Sequence, residues 1–178
     1  MAVETLKATS ITSLDTIPAS ANLTGSGAPG DLKDIGDFVT VPAAASATST
    51  FRLARIPTNA KVKHVFFESE AQAAGAIDVS VYYSSSTVDG TPPAVQGLIV
   101  PTTGSQFFAS AIAVTSAVAA TIVTNESGNY NLSKRNQPLW QALNLAADPG
   151  GFFDIVAVVQ TAVTTGLGRL GVRVAFAL

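Results

Sequence analysis

Alternating apolar and polar positions between residues 49 and 84 predict three consecutive strands. In the run from Ile77 to Tyr83 every second residue is apolar, whereas Asp78, Ser80 and Tyr82 occupy the positions between them. This period of two is typical of a strand with one buried face. The run 62–67 is apolar on both faces at its centre, which places it deep in a sheet. The strands are predicted at 49–56, 61–69 and 76–84.

Turn residues divide the rest of the chain into further short strands and one helix. The Ala-rich run 107–120 is compatible with a helix, but the β-branched residues of its second half favour strands. A short helix is predicted near 137–143, with Pro138 in its first turn. The other strands are predicted at 37–41, 97–101, 107–115, 118–124, 152–161 and 169–176. This pattern predicts an all-β fold, a β-sandwich or jelly-roll-like domain.

The first 36 residues differ from the rest because their apolar residues are isolated and Pro and Gly interrupt them. They fit either a disordered tail or an extended arm that lies along a neighbouring subunit. We favour the arm, and divide the chain into an extended N-terminal arm, 1–36, and a β-sandwich domain, 37–178. The arm residues expected to bind the partner are Leu6, Ile11, Leu14, Ile17 and Leu23.

The chain is poor in charge. Charged residues make up 12% of it, about half the usual share, whereas hydrophobic residues make up an ordinary 47%. Interface cores are depleted in charge, so this composition favours a protein packed against neighbours over a freely diffusing monomer. A Ser/Thr-rich β-protein that works alone is the other interpretation. The net charge is −2 and the basic residues form no stripe, so nucleic acid is not an expected partner.

The absence of cysteine from the sequence excludes disulfides and cysteine-ligated metals. The N-terminal residues lack the apolar region of a secretory signal, and no apolar run reaches the length of a membrane helix. We therefore expect a protein made in a cytoplasm that has no membrane partner.

Two stretches match G-x-G-x-x-G, the spacing of a dinucleotide-binding loop: Gly25 to Gly30 and Gly166 to Gly171. That loop requires a strand before it and a helix after it. The first stretch follows the N-terminal segment and contains Pro29, and the second continues directly into the last predicted strand. Both are better explained as turn glycines, so no cofactor is expected.

Few residues are candidates for catalysis. His64 is the single histidine, lies within a predicted strand and has no recognisable Ser or Asp partner in sequence, so a packed or interfacial histidine is the better interpretation. Glu68 and Glu70 share one face of a strand and could act as an acid–base pair or bind a hard cation. They also stand at a strand end, where exposed charge is ordinary. We predict no catalytic residue, no metal site and no enzyme activity.

Asp154 lies in the run 152–156, where both faces of the predicted strand are apolar. A buried carboxylate requires a partner. Arg169 and Arg173 lie on one face of the last strand, which would be adjacent if the last two strands formed a hairpin. The sequence therefore predicts that Asp154 pairs with one of these arginines in a structural role.

The region from Phe51 to Val174 resembles virion structural proteins of tailed bacteriophages. The likeness consists of turns and strand edges rather than catalytic motifs. The stretches that carry it are Arg55-Ile-Pro-Thr-Asn-Ala-Lys-Val62, Ala76-Ile-Asp-Val-Ser-Val-Tyr-Tyr-Ser-Ser-Ser-Thr-Val-Asp-Gly-Thr91, Gln106-Phe-Phe-Ala-Ser-Ala111, Val123-Thr-Asn-Glu-Ser-Gly-Asn-Tyr130, Gln137-Pro-Leu-Trp140 and Asp148-Pro-Gly-Gly-Phe-Phe-Asp-Ile155.

This resemblance implies a head decoration (cement) protein on the capsid exterior. Such a protein binds the major capsid protein, often as a homotrimer, and holds neighbouring capsid subunits together. A phage tail, neck or head-fibre component is the structural alternative. A host-carbohydrate-binding β-sandwich is the alternative of another class, and its sugar platforms would need exposed aromatic rings. The candidates for such platforms are Tyr82, Tyr83, Tyr130 and Trp140.

Overall fold

The computed structural model describes residues 3, 5–7, 12, 32–84, 100, 104–163 and 168–178. Within these residues the chain forms nine strands, one 3-10 helix at Leu132–Lys134 and one α-helix, α1, at Leu139–Ala142. The strands are β1 Thr5–Lys7, β2 Lys33–Thr40, β3 Thr50–Pro57, β4 Lys61–Ser69, β5 Ala76–Tyr83, β6 Ala109–Ala113, β7 Val118–Ile122, β8 Phe152–Thr161 and β9 Arg169–Ala177.

The strands form two sheets. One has the order β1-β3-β8-β5-β6, and the other has the order β2-β9-β4-β7. Neighbouring strands are antiparallel except for β1, which pairs with β3 in parallel. Four of the strand pairs enclose one another in sequence: β5 pairs with β6, β4 with β7, β3 with β8 and β2 with β9. This is the pairing of a long antiparallel hairpin that is folded into two layers.

One hydrophobic core lies between the sheets and takes side chains from both of them. In β9, for example, Leu170, Val172 and Val174 are buried, whereas Arg169 and Arg173 are exposed. This alternation arises because successive side chains of a strand point to opposite faces. The fold is therefore an all-β sandwich, as the sequence predicts.

An aromatic cluster closes one part of the core. Phe107, Phe108 and Tyr130 are all fully buried, and their ring centroids lie 5.0–5.5 Å apart. The Tyr130 hydroxyl donates a 2.6 Å hydrogen bond to the backbone carbonyl of Val62 in β4. The loop that precedes α1 is thereby fastened to the central strand of one sheet.

The strand boundaries agree closely with the prediction. β4 and β8 have the predicted bounds, and the Ala-rich run is strand at β6 and β7 rather than helix. The helix is shorter than predicted, and Pro138 is its N-cap rather than a first-turn residue. The predicted strand 97–101 lies outside the described residues, apart from the buried Val100.

The N-terminal boundary needs a correction. β2 begins at Lys33 and pairs with β9 along its whole length, so the boundary predicted after residue 36 falls inside a strand of the sandwich. The burial of β2 alternates without a break through Gly36, but Asp37 lies on the inner side together with Ile35 and Val39 and interrupts the apolar pattern there. The first strand of this sheet therefore starts earlier than the sequence predicts.

Candidate functional site: an exposed sheet face

The outer side of the β2-β9-β4-β7 sheet presents aromatic and charged side chains to solvent. In one row, Arg173 of β9 stands between Gly36 of β2 and Phe66 of β4, and Phe66 is opposite Ile122 of β7. In the next row, Gly171 stands between Phe38 and Glu68. We call this surface the exposed sheet face and define it by Phe38, Phe66, Glu68, Ile122, Arg169 and Arg173.

Two large apolar side chains of this face are open to solvent. Phe38 is 51% exposed and Ile122 is 54% exposed. Side chains that face each other across neighbouring strands form one continuous patch. Aromatic residues and arginine together are the composition that distinguishes the centres of protein interfaces from the rest of a surface.

Each arginine of the exposed sheet face lies over an aromatic ring. The guanidinium carbon of Arg173 is 4.3 Å from the ring centroid of Phe66, and that of Arg169 is 5.0 Å from the ring centroid of Phe38. Stacking of this kind is worth about 0.5–1 kcal/mol at exposed sites. Because both arginines are also exposed, their N–H groups are accessible to a partner.

The charges of this face are only partly paired. Arg173 is 3.7 Å from Asp34, and both side chains are about half exposed. The Glu70 carboxylate accepts a hydrogen bond from the backbone N–H of Arg169. Among the described residues, the Glu68 carboxylate and the Arg169 guanidinium form no hydrogen bond and no ion pair. A carboxylate and a guanidinium on this face are thus both available to bind a partner.

Two shallow clefts indent the same surface. One has a volume of about 340 Å³ and lies between Phe38, Glu68, Glu70 and Arg169. The other has a volume of about 200 Å³ and lies between Phe66, Glu68, Ala120 and Arg173. Glu68 lines both clefts. Clefts of this size on an open sheet can receive single side chains of a docking partner.

Asp154 is fully buried, as predicted, but its arginine partners are different. It accepts hydrogen bonds from Arg52 at 2.8 Å and from Arg55 Nε at 2.6 Å, both in β3. The predicted pairing with Arg169 or Arg173 is wrong, because β8 and β9 belong to different sheets and do not form a hairpin. β3 is the strand beside β8, and Arg55 is directly opposite Asp154. This buried cluster is structural.

The remaining candidates do not assemble into a catalytic site in the described part of the chain. His64 is half-buried in β4, its ring lies 6.0 Å from that of Phe66, and its Nδ1 atom has no hydrogen-bond partner. Of the two glycine motifs, 25–30 lies outside the described residues, and Gly168 to Gly171 leads into β9 rather than a helix. No group of three or more His, Asp or Glu residues is placed to hold a metal ion within the described ranges.

Of the predicted arm residues, Leu6 belongs to the described part of the chain. Leu6 lies in β1, is half-buried and packs against the core of its own chain. Ile11, Leu14, Ile17 and Leu23 lie outside the described residues. The role of these residues in binding a partner therefore stays a prediction.

The proposed sugar platforms are not exposed. Tyr130 is fully buried, and Trp140 and Tyr83 pack against the core. Tyr82 is half-buried beneath the Arg52 guanidinium, 5.3 Å from its ring centroid, and burial raises the pKa of its hydroxyl. These positions offer no open aromatic face for a carbohydrate to stack on.

Sequence reasoning missed the exposed sheet face. It placed Arg169 and Arg173 on one side of the last strand, but their neighbours come from β2, β4 and β7. A usable signal was present in β2, where Asp34, Phe38 and Thr40 alternate with Ile35 and Val39. Phe38 therefore belongs to the polar, outer side of its strand, which marks it as an exposed aromatic residue.

Comparisons with known proteins give little further information. No family model and no curated protein matches the chain. Among solved structures, the chain is similar to one described as the capsid asymmetric unit of cyanophage Pam1, with 16% identity and a TM-score of 0.42. That match covers 92% of this chain and 96% of the other. A likeness at this level carries no argument about function. In the described part of the chain, no helix has the length and apolarity needed to cross a membrane.

Proposed function

We propose that this chain is a virion structural protein of a tailed bacteriophage, a head decoration (cement) protein on the capsid exterior. It would bind the major capsid protein and stabilise the contacts between neighbouring capsid subunits, without catalysis and without a cofactor. Decoration proteins of this kind act by burying surface across subunit boundaries, so that separating the subunits requires many weak contacts to break together.

The strand order is the observation that carries this proposal. The orders β2-β9-β4-β7 and β3-β8-β5-β6, with the nested pairs described above, support a jelly-roll interpretation of the sandwich, and viral capsid domains, like lectin domains and cupins, use this double-sheet arrangement. The sequence between Phe51 and Val174 resembles phage virion proteins, and it is this region that supplies seven of the eight strands in those two orders. Fold pattern and sequence resemblance therefore favour the same class of protein.

The surface composition also supports a structural role. With only 12% charged residues, and with Phe38 and Ile122 more than half exposed, the domain is suited to contact with other proteins. A homotrimer would present several capsid-binding arms at once. Several weak contacts made by one oligomer raise the effective affinity for a lattice far above that of each contact.

The N-terminal segment is the part that we assign to the capsid. β1 anchors its start beside β3 over only three residues, and β2 begins at Lys33. Ile11, Leu14 and Ile17 lie between these two attachment points in sequence. If this stretch lies along a capsid subunit, these apolar side chains supply its contact area.

The arm can be tested without removing a strand of the sandwich. Replacing Ile11, Leu14 and Ile17 together by serine is expected to weaken co-sedimentation with capsids of the same phage at least about a hundredfold. The physical reason is that each buried Ile or Leu contributes about 1.5–3 kcal/mol, and 1.4 kcal/mol is a factor of ten in affinity. The thermal unfolding midpoint of the free protein should not change.

A matched control for this experiment is Leu132→Ser. Leu132 is 71% exposed in the 3-10 helix, far from the N-terminal segment in sequence, and its loss should leave capsid binding intact. If the triple variant binds as tightly as the control, the arm has no role in binding. If the triple variant instead unfolds at a lower temperature, the three residues belong to the core of the domain.

A further inference from the structure

We infer that the exposed sheet face is a contact between two copies of this chain, related by a two-fold axis, in which Arg169 of each copy binds Glu68 of the other. This inference concerns self-association in solution. It does not depend on the proposed role on a capsid.

The first argument is the charge pattern. The Arg169 guanidinium and the Glu68 carboxylate line the same cleft, yet among the described residues neither has an ionic or hydrogen-bonding partner. In a two-fold contact the same surface of both copies faces itself, so that residue i of one copy contacts residue j of the other and the reverse. Such a surface is favourable only if it carries both members of each complementary pair. An unpaired cation beside an unpaired anion meets this condition, because half a turn exchanges their positions and makes two ion pairs at once.

The second argument is the position of the cation. The Arg169 guanidinium carbon lies 5.0 Å from the ring centroid of Phe38, while the residue stays exposed. This contact is worth about 0.5–1 kcal/mol and reduces the side-chain entropy that would be lost on pairing. The Arg173 guanidinium carbon lies over Phe66 in the same way, 4.3 Å from the ring centroid.

The third argument is the apolar surface around the charges. Phe38 and Ile122, each more than half exposed, lie on either side of the strands that carry Arg169 and Glu68. Two sheets that pack face to face interdigitate such side chains at a separation of about 10 Å. Gly171 lies between Phe38 and Glu68, and the Glu68 side chain lies over it, with Oε1 3.2 Å from the position that a Cβ would take.

The size of the face predicts a weak contact. Four strands about 4.8 Å apart, with about 3.3 Å per residue along seven residues, make a surface of about 15 by 20 Å. This is about 300 Å² on each copy and about 600 Å² in total, less than the roughly 1,200–2,000 Å² that stable interfaces bury. We therefore expect a weak, transient association with a dissociation constant on the order of 100 μM, which sedimentation equilibrium or light scattering can measure.

Charge reversal tests the pairing directly. Arg169→Glu and Glu68→Arg should each raise the dissociation constant of the dimer at least about tenfold. In either variant residues 169 and 68 carry the same charge, so like charges meet at both of the symmetry-related contacts. An equimolar mixture of the two variants should associate like the wild type, since every contact then joins opposite charges. The double variant, which carries both changes in one chain, should also associate like the wild type. Glu68→Arg should keep the wild-type unfolding temperature, because Glu68 is exposed. The two proteins that carry Arg169→Glu lose the stack on Phe38, worth about 0.5–1 kcal/mol, and should unfold at a temperature lower by no more than about 4 °C.

A control variant separates this pairing from a general effect of charge. Gln160→Glu adds a negative charge to an exposed position of β8, in the other sheet, and should leave the association unchanged. The inference is overturned if the wild type stays monomeric at about 1 mM, roughly ten times the expected dissociation constant. It is also overturned if the single variants associate like the wild type, or if the mixture fails to recover. In the last case the face binds a different partner, of which a capsid subunit is the first to test.

Failure of the two-fold contact can be distinguished from failure of the proposed decoration role. A chain that dimerises through this face but does not bind capsids contradicts the decoration role alone. A chain that binds capsids but does not self-associate contradicts the two-fold contact alone.

Discussion

Asp154→Asn is expected to destabilise the domain by about 3–5 kcal/mol, the usual cost of breaking a buried ion pair by removing one partner. Asp154 is fully buried, and it accepts hydrogen bonds from Arg52 at 2.8 Å and from Arg55 at 2.6 Å. Asparagine keeps the shape but removes the negative charge, and it presents N–H groups toward arginine donors. The two buried guanidinium groups then lose the anion between them. Denaturant unfolding of the wild type and the variant measures the difference.

Asp34→Asn provides the matched control. It is the same substitution at another arginine-paired aspartate, but Asp34 and Arg173 are about half exposed and 3.7 Å apart. Exposed pairs of this kind contribute about 0–1 kcal/mol. A loss at Asp154 no larger than that at Asp34 would mean that water reaches the cluster, and the placement of β8 in the interior would be wrong.

Tyr130→Ala is the second substitution with a large expected effect, a loss of about 3–5 kcal/mol, as for other large aromatic side chains removed from a core. Tyr130 is fully buried against Phe107 and Phe108, with ring centroids 5.5 and 5.1 Å away. The cavity would open beneath the loop that leads to α1. Denaturant unfolding again gives the free energy, and a loss below about 1 kcal/mol would contradict the closed packing of this cluster.

Tyr130→Phe separates the hydroxyl from the ring. The ring is kept, but the carbonyl of Val62 loses the 2.6 Å hydrogen bond, so a smaller loss of about 1–3 kcal/mol is expected. Burial also raises the pKa of the Tyr130 hydroxyl well above its usual value near 10. The unfolded state therefore releases this proton at lower pH than the folded state, and folding is disfavoured as pH rises above about 10. The phenylalanine variant should lack this part of the alkaline destabilisation.

The sequence predicted the strands well, because their alternation is a local property. The central strand β4 and the buried strand β8 were located at their observed bounds from the period of their own residues. Strand pairing is not local. Asp154 was correctly expected to be buried with an arginine, but β8 lies beside β3, so the arginines come from positions about a hundred residues earlier in the chain.

The exposed sheet face could not be predicted for the same reason. Phe38, Phe66 and Arg173 come from three strands that are far apart in sequence and meet only through the pairing of β2 and β4 with β9. The sequence placed Arg169 and Arg173 on one side of their strand but could not say which side chains would surround them. Their stacking on two phenylalanine rings is possible only because the strand order brings β2 and β4 beside β9.

The most direct test of the central proposal is an electron cryo-microscopy map of phage particles that carry this chain. We expect density for the two-sheet sandwich on the outer surface of the head, repeated at equivalent positions of the lattice and touching more than one capsid subunit. Particles from which the protein has been removed should lack this density and should break at a lower temperature. Density for the sandwich in the tail or neck, or a head surface with no such density, would contradict the decoration role.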